Sequence, residues 1–272
     1  MSKLLGPALT LPAVTFIAVG FVLPVLILLS EAVTVNGSFS LAPLIGFFRD
    51  PGSVEVFWRT IRLSGLVTLT SAVVGYATAL AIVDSSPSAR GRLIGTLILP
   101  LMVSPVARTY AWVVVLGRTG LVNLVVVGLG LSPEPLRLLF TETAVFIGLV
   151  QLLLPLMVLS LVSALENIPA DVVPAARVLG AGWFTTFFKV TLPLTREGLV
   201  IGGTLVFTGA LTAYITPAIL GGSKVLMLET LLYQRIRVTN DIAAAGVIAI
   251  ILVVLSISAN VLLKKVAGGR SK

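Results

Sequence analysis

Apolar residues fill this chain in long runs instead of alternating with polar ones. Six runs, at about 8–30, 61–83, 93–116, 143–165, 199–220 and 242–263, stand out. Each approaches the roughly 20 residues that a helix needs to cross a hydrocarbon core of about 30 Å. The first is too long for the core of a cleaved signal peptide and reads as a retained anchor. A weaker run, 121–131, carries Gly120, Gly128 and Gly130 in or beside it and is too short to span. It predicts a short helix at the outer surface. Three connections are long. Residues 31–60 contain the turn signal Asn36-Gly37-Ser38, residues 166–198 form a polar island, and residues 221–241 open on Gly221-Gly222-Ser223. There is no internal repeat, low-complexity tract or soluble domain. The expectation is an all-α polytopic membrane protein of six transmembrane helices. It is a single domain over 1–272, with its core at about 53–265 and the polar island at about 166–198.

Composition agrees with this reading. Of the 272 residues, 57% are hydrophobic and 11% charged. A soluble domain carries about 25% charged residues, so too little polar surface remains to cover a water-facing globule. The absence of cysteine removes disulfides and thiolate chemistry. The absence of histidine removes the usual metal ligand and proton shuttle. A net charge of +8 would raise nucleic acid as a partner in a soluble protein. Here the basic residues flank apolar runs, which points to membrane orientation and to lipid as the partner, with no nucleic acid.

With a cytoplasmic N-terminus, the inner segments hold ten basic and four acidic residues, and the outer segments eight and seven. Arg90 and Arg92 in one short loop and Lys264-Lys265 near the C-terminus strengthen that sense. Both termini and residues 166–198 are then cytoplasmic.

The polar island has its own local logic. Asp171 is placed to accept backbone N–H groups as an N-cap. Pro174 falls in the first helical turn, where its missing N–H costs no bond. Ala175, Ala176, Val178 and Leu179 make a small apolar face beside Arg177. Gly180 and Gly182 suit a left-handed helix end. Residues 183–190, from Trp183 to Val190, predict a second short helix closed by Leu192-Pro193. The result is a compact elbow with small side chains that let a partner approach closely. A plain surface hairpin is the competing reading.

The spacing of Ala175, Ala176, Gly180, Val190, Leu192 and Pro193 resembles the Glu-Ala-Ala docking loop of ABC-importer permeases, with Pro174 where that family has glutamate. The resemblance implies a type I importer permease fold. It also implies a cytoplasmic ATPase subunit that grips Asp171, Pro174, Ala175, Ala176, Arg177, Gly180, Trp183, Val190, Leu192 and Pro193. From about residue 53 onward the chain also looks like the spermidine/putrescine branch of these permeases. The runs Leu99-Pro100-Leu101-Met102-Val103-Ser104-Pro105 and Pro217-Ala218-Ile219-Leu220-Gly221-Gly222 carry that likeness. Permeases for opine-like or amino-acid-like solutes and for ferric iron share parts of it.

Candidate solute-path residues form two patches. Pro100 and Pro105 each delete a backbone hydrogen bond in the third run, and Arg108, Tyr110 and Trp112 follow. A charge there faces a path, or snorkels beside an interfacial tryptophan at a structural kink. Thr212, Tyr214 and Thr216 make a second patch near the end of the fifth run. Thr204 and Thr208 lie on a neighbouring face, where threonine hydroxyls often bond only their own helix. Glu142 attracts a cationic solute or complements a helix dipole. Ser71, Gly75 and Ala79 form a small-residue face, for a second permease subunit or for packing within this one.

No nucleotide-cradling G-x-x-x-x-G-K-[ST] run and no metal-ligand cluster occurs in the sequence. The expectation is a non-enzymatic permease subunit in a bacterial inner membrane that binds no cofactor or metal itself. ATP is expected on a partner subunit. The resemblance implies a second, related permease chain, two cytoplasmic ATPase subunits and an extracytoplasmic binding protein. An ion-coupled carrier is the remote alternative; it would need titratable groups deep in the spans, whose interiors hold almost none.

Overall fold

The computed structural model describes residues 12, 14–35 and 37–268. It is helical, apart from one two-stranded hairpin among the described residues (β1, Thr34–Val35; β2, Ser38–Phe39). Helix α1 is Val14–Ala32, α2 Ala42–Arg49, α3 Pro51–Val83, α4 Pro87–Met102, α5 Pro105–Leu116 and α6 Leu121–Gly128. Helix α7 is Glu142–Glu166, α8 Val172–Val178, α9 Trp183–Leu194 and α10 Arg196–Leu211. A π-helical turn, Pro217–Gly221, precedes α11 (Leu228–Arg237) and α12 (Ile242–Gly268).

By length and apolarity five helical stretches among the described residues can cross a membrane: Val14–Ala32, Pro51–Val83, Pro105–Gly128, Glu142–Glu166 and Ile242–Lys265. A sixth is counted if α9 and α10, bent by 67° at Thr195, form one broken span. Four of the six expected spans appear as expected helices, although residues 8–11 and 13 of the first lie outside the described residues. The third and fifth differ. The third is cut at Val103 and Ser104, both with extended ψ (140° and 129°). A residue before proline is pushed out of the α region, so the helix stops ahead of Pro105, while Pro100 stays within α4. The apolar length is instead made up by α5 and α6 together. The helix expected at 121–131 forms over Leu121–Gly128 as α6, but it continues α5 in one spanning stretch instead of standing as a separate helix too short to span. The fifth expected span stops at Leu211, breaks at 212–214 and restarts as the π turn.

Two long connections are more ordered than their composition indicates. The first contains the hairpin, with Gly37 at φ 75°, then α2 and the first ten residues of α3. The other contains α11.

Contacts divide the described residues into two compact units. The first takes in residues up to Phe57 with Leu228–Val254. Within it, Ala32 and Leu28 of α1 lie against Gly246 of α12, and Phe47, Val247 and Ile248 are buried. The second unit takes in Trp58–Met227 and residues from Leu255 on. Its centre is α7, where Leu149, Met157, Val158 and Leu161 are fully buried. Helix α10 lies along α7 because Gly198 and Gly202 leave no side chain between them: a Cβ at Gly202 would stand 2.7 Å from the Met157 sulfur, and one at Gly198 2.8 Å from the Ser160 carbonyl. The small face Ser71–Gly75–Ala79 also turns inward. Ser71 and Ala79 are fully buried, and Gly75 abuts Met157. That face packs within this subunit.

Candidate functional site

The elbow at 166–198 grows from the C-terminal end of α7. Helix α8 starts after Asp171, whose carbonyl accepts the Ala175 N–H at 2.9 Å. The Asp171 carboxylate itself makes no capping bond, contrary to the expectation, because its backbone is already α-like (φ −85°, ψ −19°). N-cap side chains reach back only from an extended backbone. Pro174 falls in the first turn as expected.

Gly180 ends α8 at φ 82°, and the Gly180 and Ala181 N–H groups bond the carbonyls of Arg177 and Ala176. Gly182 does not share this conformation. It is extended (φ −68°, ψ 170°) and serves as the N-cap of α9. Helix α9 is α-helical over Trp183–Thr186 and widens to a π turn over Phe187–Thr191. Val190 is thus inside the helix, and Leu192-Pro193 does not close it. The wide turn ahead of Pro193 accommodates a residue that cannot donate, and the chain bends only at Thr195.

This elbow exposes apolar side chains. Val178 and Leu179 are each 87% exposed, and Trp183, Phe184 and Phe188 are largely exposed as well. Trp183 stacks flat on Phe187 with ring centroids 5.6 Å apart, and Phe187 meets Tyr76 of α3 edge-on at 5.1 Å. The Tyr76 hydroxyl in turn hydrogen-bonds that of Thr195, which also donates to the Thr191 carbonyl at 2.9 Å. A chain of contacts therefore runs from the exposed elbow through α3 to the bend. A cleft of about 210 Å³ lies behind the elbow, between Leu80, Asp84, Ile168, Arg177 and Phe187.

Arg90 braces the same region. It donates to Glu166 at 2.7 Å and to the Val83 carbonyl at 2.5 Å, tying α4 to the ends of α7 and α3. Opposite charges at 90 and 166 on one side of the membrane were visible in the sequence, but their pairing was not. Nothing in the sequence pointed to Tyr76 or Thr195.

The two expected path patches fall on neighbouring elements: α5 and the π turn pack against each other and against α7. Arg108 does not snorkel. Its guanidinium reaches back across the break to the Pro100 carbonyl at 2.7 Å, satisfying one of the acceptors that the end of α4 leaves open. Trp112 donates to Gln151 of α7 at 3.3 Å, and Tyr110 is 56% exposed. Thr216 is buried with its methyl beside Gly148, and Thr212 bonds its own helix at Thr208. Thr204 and Thr208 likewise bond only carbonyls of their own helix. Tyr214 sits in the break between α10 and the π turn. Glu142, at the first position of α7, is no free carboxylate: Arg59 donates to it at 3.0 Å and Arg62 also pairs with it. Its charge is shared by two cations of α3.

Residues 3–269 match the family model described as "Binding-protein-dependent transport system inner membrane component". The chain is 35% identical to the spermidine/putrescine transport system permease protein PotB of Haemophilus influenzae over 76% of its own length and 72% of that protein. It is 34% identical to PotB of Escherichia coli over 66% of its length, and spans 65% of that relative. The molybdenum transport system permease ModB of Mycobacterium bovis is 29% identical over 76% of this chain and 77% of that one. Among solved structures, a chain of a bacterial ABC transporter involved in alginate import superposes with a TM-score of 0.80 at 16% identity, covering 99% of this chain and 97% of that one. Apolar helices that cross a membrane, a fold shared with an ABC importer and a family match over nearly the whole length converge. The chain is a transport subunit and not an enzyme, and it belongs to the inner-membrane components of binding-protein-dependent transport systems.

Proposed function

We propose that this chain is one of two permease subunits that together form the path of an ATP-driven polyamine importer. The exposed apolar elbow of α8 and α9 carries the docking half of this reading. Val178, Leu179, Trp183 and Phe184 form an exposed apolar edge on the elbow, and such an edge calls for a protein partner. Two cytoplasmic ATPase subunits cover this edge on the two permeases, and those subunits bind the ATP. Both termini lie in the cytoplasm. A soluble binding protein delivers solute from the other side. Closure of the ATPase pair shifts the elbow, and the aromatic contacts carry the shift to α3 and to the bend at Thr195.

The identity of 35% to a spermidine/putrescine permease supports a polyamine as the solute. A polyamine offers several ammonium groups, which aromatic faces attract. Tyr110, Trp112 and Tyr214 are the aromatic candidates; Arg108 and Glu142, each already engaged, serve the frame of the path instead. Uptake of radiolabelled spermidine by proteoliposomes holding the whole transporter tests this reading. Uptake that requires ATP and the binding protein, and that unlabelled putrescine competes away, is the expected result. Competition by ferric iron or by opines, and not by polyamines, would replace the solute while leaving the permease role in place.

A further inference from the structure

An apolar groove of about 460 Å³ opens between α3, α10 and the last turns of α12. Gly65 and Ala72 of α3 and Gly203 of α10 make it deep, because none of them places a large side chain in it. The hydroxyl of Thr68, the one other polar group on the α3 wall, is spent on the Ser64 carbonyl at 2.7 Å. The walls from α3 and α12 belong to helices apolar enough to span a bilayer, and α10 meets that test together with α9, which puts the groove at hydrocarbon depth.

One end of it is charged. Among the described residues that line the groove, only Arg196, the first residue of α10, is ionised. Among the described residues Arg196 makes no hydrogen bond or ion pair, unlike Arg59, Arg62, Arg90 and Arg108. Leu262 and Leu263 line the same groove, and Lys264 and Lys265 follow them directly on α12, both exposed. The first residue of α10 and the last turns of α12 thus line one apolar slot, with two lysines next in sequence after its α12 wall. Glu197 is exposed and does not line the groove.

We infer that this groove is a binding site for an anionic glycerophospholipid, with an acyl chain in the slot and the phosphate on Arg196, flanked by Lys264 and Lys265. A guanidinium forks onto phosphate oxygens in a bidentate pair, and lysine stems reach along apolar surface to bring their ammonium groups to the headgroup level. Basic residues between transmembrane helices on the cytoplasmic side are the general form of such sites. The site rests on the proposed orientation only for its leaflet, which is the inner one. A helix of the second permease subunit would fill the slot but leave Arg196 without an anion.

The test uses the whole transporter in nanodiscs of phosphatidylcholine containing a photoactivatable phosphatidylglycerol, with photoactivatable phosphatidylcholine as control. Labelled peptides are mapped by mass spectrometry. The expected result is phosphatidylglycerol labelling of the walls at 65–72 and 199–207, above that of the control. Replacing Arg196→Gln lowers this labelling about fivefold, the ratio expected for losing one basic residue near a headgroup. Gly65→Leu blocks the slot and abolishes it. A Cβ at Gly65 meets nothing within 4 Å, so the first atom of the new side chain enters open space. Equal labelling by both probes in wild type and R196Q would overturn the inference and leave ordinary lipid-facing surface. Labelling that appears only when the second permease is absent would overturn it in favour of a subunit interface. Neither readout depends on transport, so a wrong solute does not affect them.

Discussion

The hydroxyl groups of Tyr76 and Thr195 are hydrogen-bonded at the point where α9 bends by 67° into α10. Thr195 is fully buried and Tyr76 nearly so. The bond therefore ties the C-terminal third of α3 to the bend, and the ring of the same tyrosine touches Phe187 of the elbow. A bend held by one cross-helix bond is a natural place for motion of the elbow to enter the membrane helices.

Tyr76→Phe keeps the ring contact and removes the bond. Thr195 retains its donation to the Thr191 carbonyl, so the stability cost is that of one net hydrogen bond, about 0.5–1.5 kcal/mol. The expected functional effect is larger: more ATP hydrolysed per solute moved in the reconstituted transporter. Thr195→Val has the same effect, and Thr195→Ser, which keeps a hydroxyl, preserves coupling. An unchanged ratio in both Y76F and T195V would show that the bond plays no part in coupling.

Gly180 makes the turn between α8 and α9 at φ 82°. A β-branched residue there costs about 1–3 kcal/mol of backbone strain. Gly180→Val is expected to distort the elbow and uncouple ATP hydrolysis from transport. Gly180→Asn, which tolerates the left-handed region, keeps most activity. Co-purification of the ATPase with full transport in G180V would contradict the docking role of this turn.

The six apolar runs were enough to identify a helical membrane protein, because a span needs only length and apolarity. Breaks inside the spans were harder to read. Pro100 and Pro105 were both visible, yet only Pro105 ends a helix, since the break needs Arg108 to satisfy the carbonyl freed at Pro100. At the elbow, the left-handed Gly180 and the first-turn Pro174 follow from local chemistry and are found. The missing Asp171 cap and the extended Gly182 depend on the path the chain takes, which no local rule fixes. Partners such as Arg90 with Glu166, or Tyr76 with Thr195, lie 76 and 119 residues apart, beyond any sequence period. Helix α2 and the early start of α3 were hidden in a segment that also carries a turn signal.

Glu229 of α11 gives a pH-dependent prediction. Burial pushes its carboxyl above the usual carboxylate range. The folded state then favours the neutral acid. The associated stability is fully present below the unfolded value of about 4.3 and is lost as pH rises through the higher folded value. Glu229→Gln removes that loss. Its melting temperature is expected to exceed that of wild type at neutral pH and to converge with it at acid pH. A lower melting temperature for E229Q at neutral pH would mean that the carboxylate is stabilised by something other than its protein surroundings.

The orientation can be checked with fusions. A reporter active only in the cytoplasm is expected to work after Lys272 and to fail at the Gly37 turn. The opposite pattern would place the elbow outside and would remove its access to ATP-driven partners.

The solute path is best tested by cysteine substitution, since the chain has no native cysteine. The exposures separate the residues of the first patch. Tyr110 is 56% exposed, whereas Trp112 packs against α7 and donates to Gln151. Cysteine at 110 is expected to react with a membrane-impermeant thiol reagent, and cysteine at 112 to stay inert. The break at 212–214 places Tyr214 where no continuous helix shields the backbone, so cysteine there is expected to react too. Arg108 is a different case. Cysteine at 108 also frees the Pro100 carbonyl, which should loosen the end of α4 and raise reactivity across both states of the transporter. If α5 and the break line one path, reactivity at 110 and 214 changes together when ATP is trapped, because α5 and the π turn that follows the break both pack against α7. Reactivity at 110 alone, indifferent to ATP, would mark Tyr110 as a surface residue outside the path. Inertness at both positions in every state, with outer-loop cysteines reactive, would move the path to other helices.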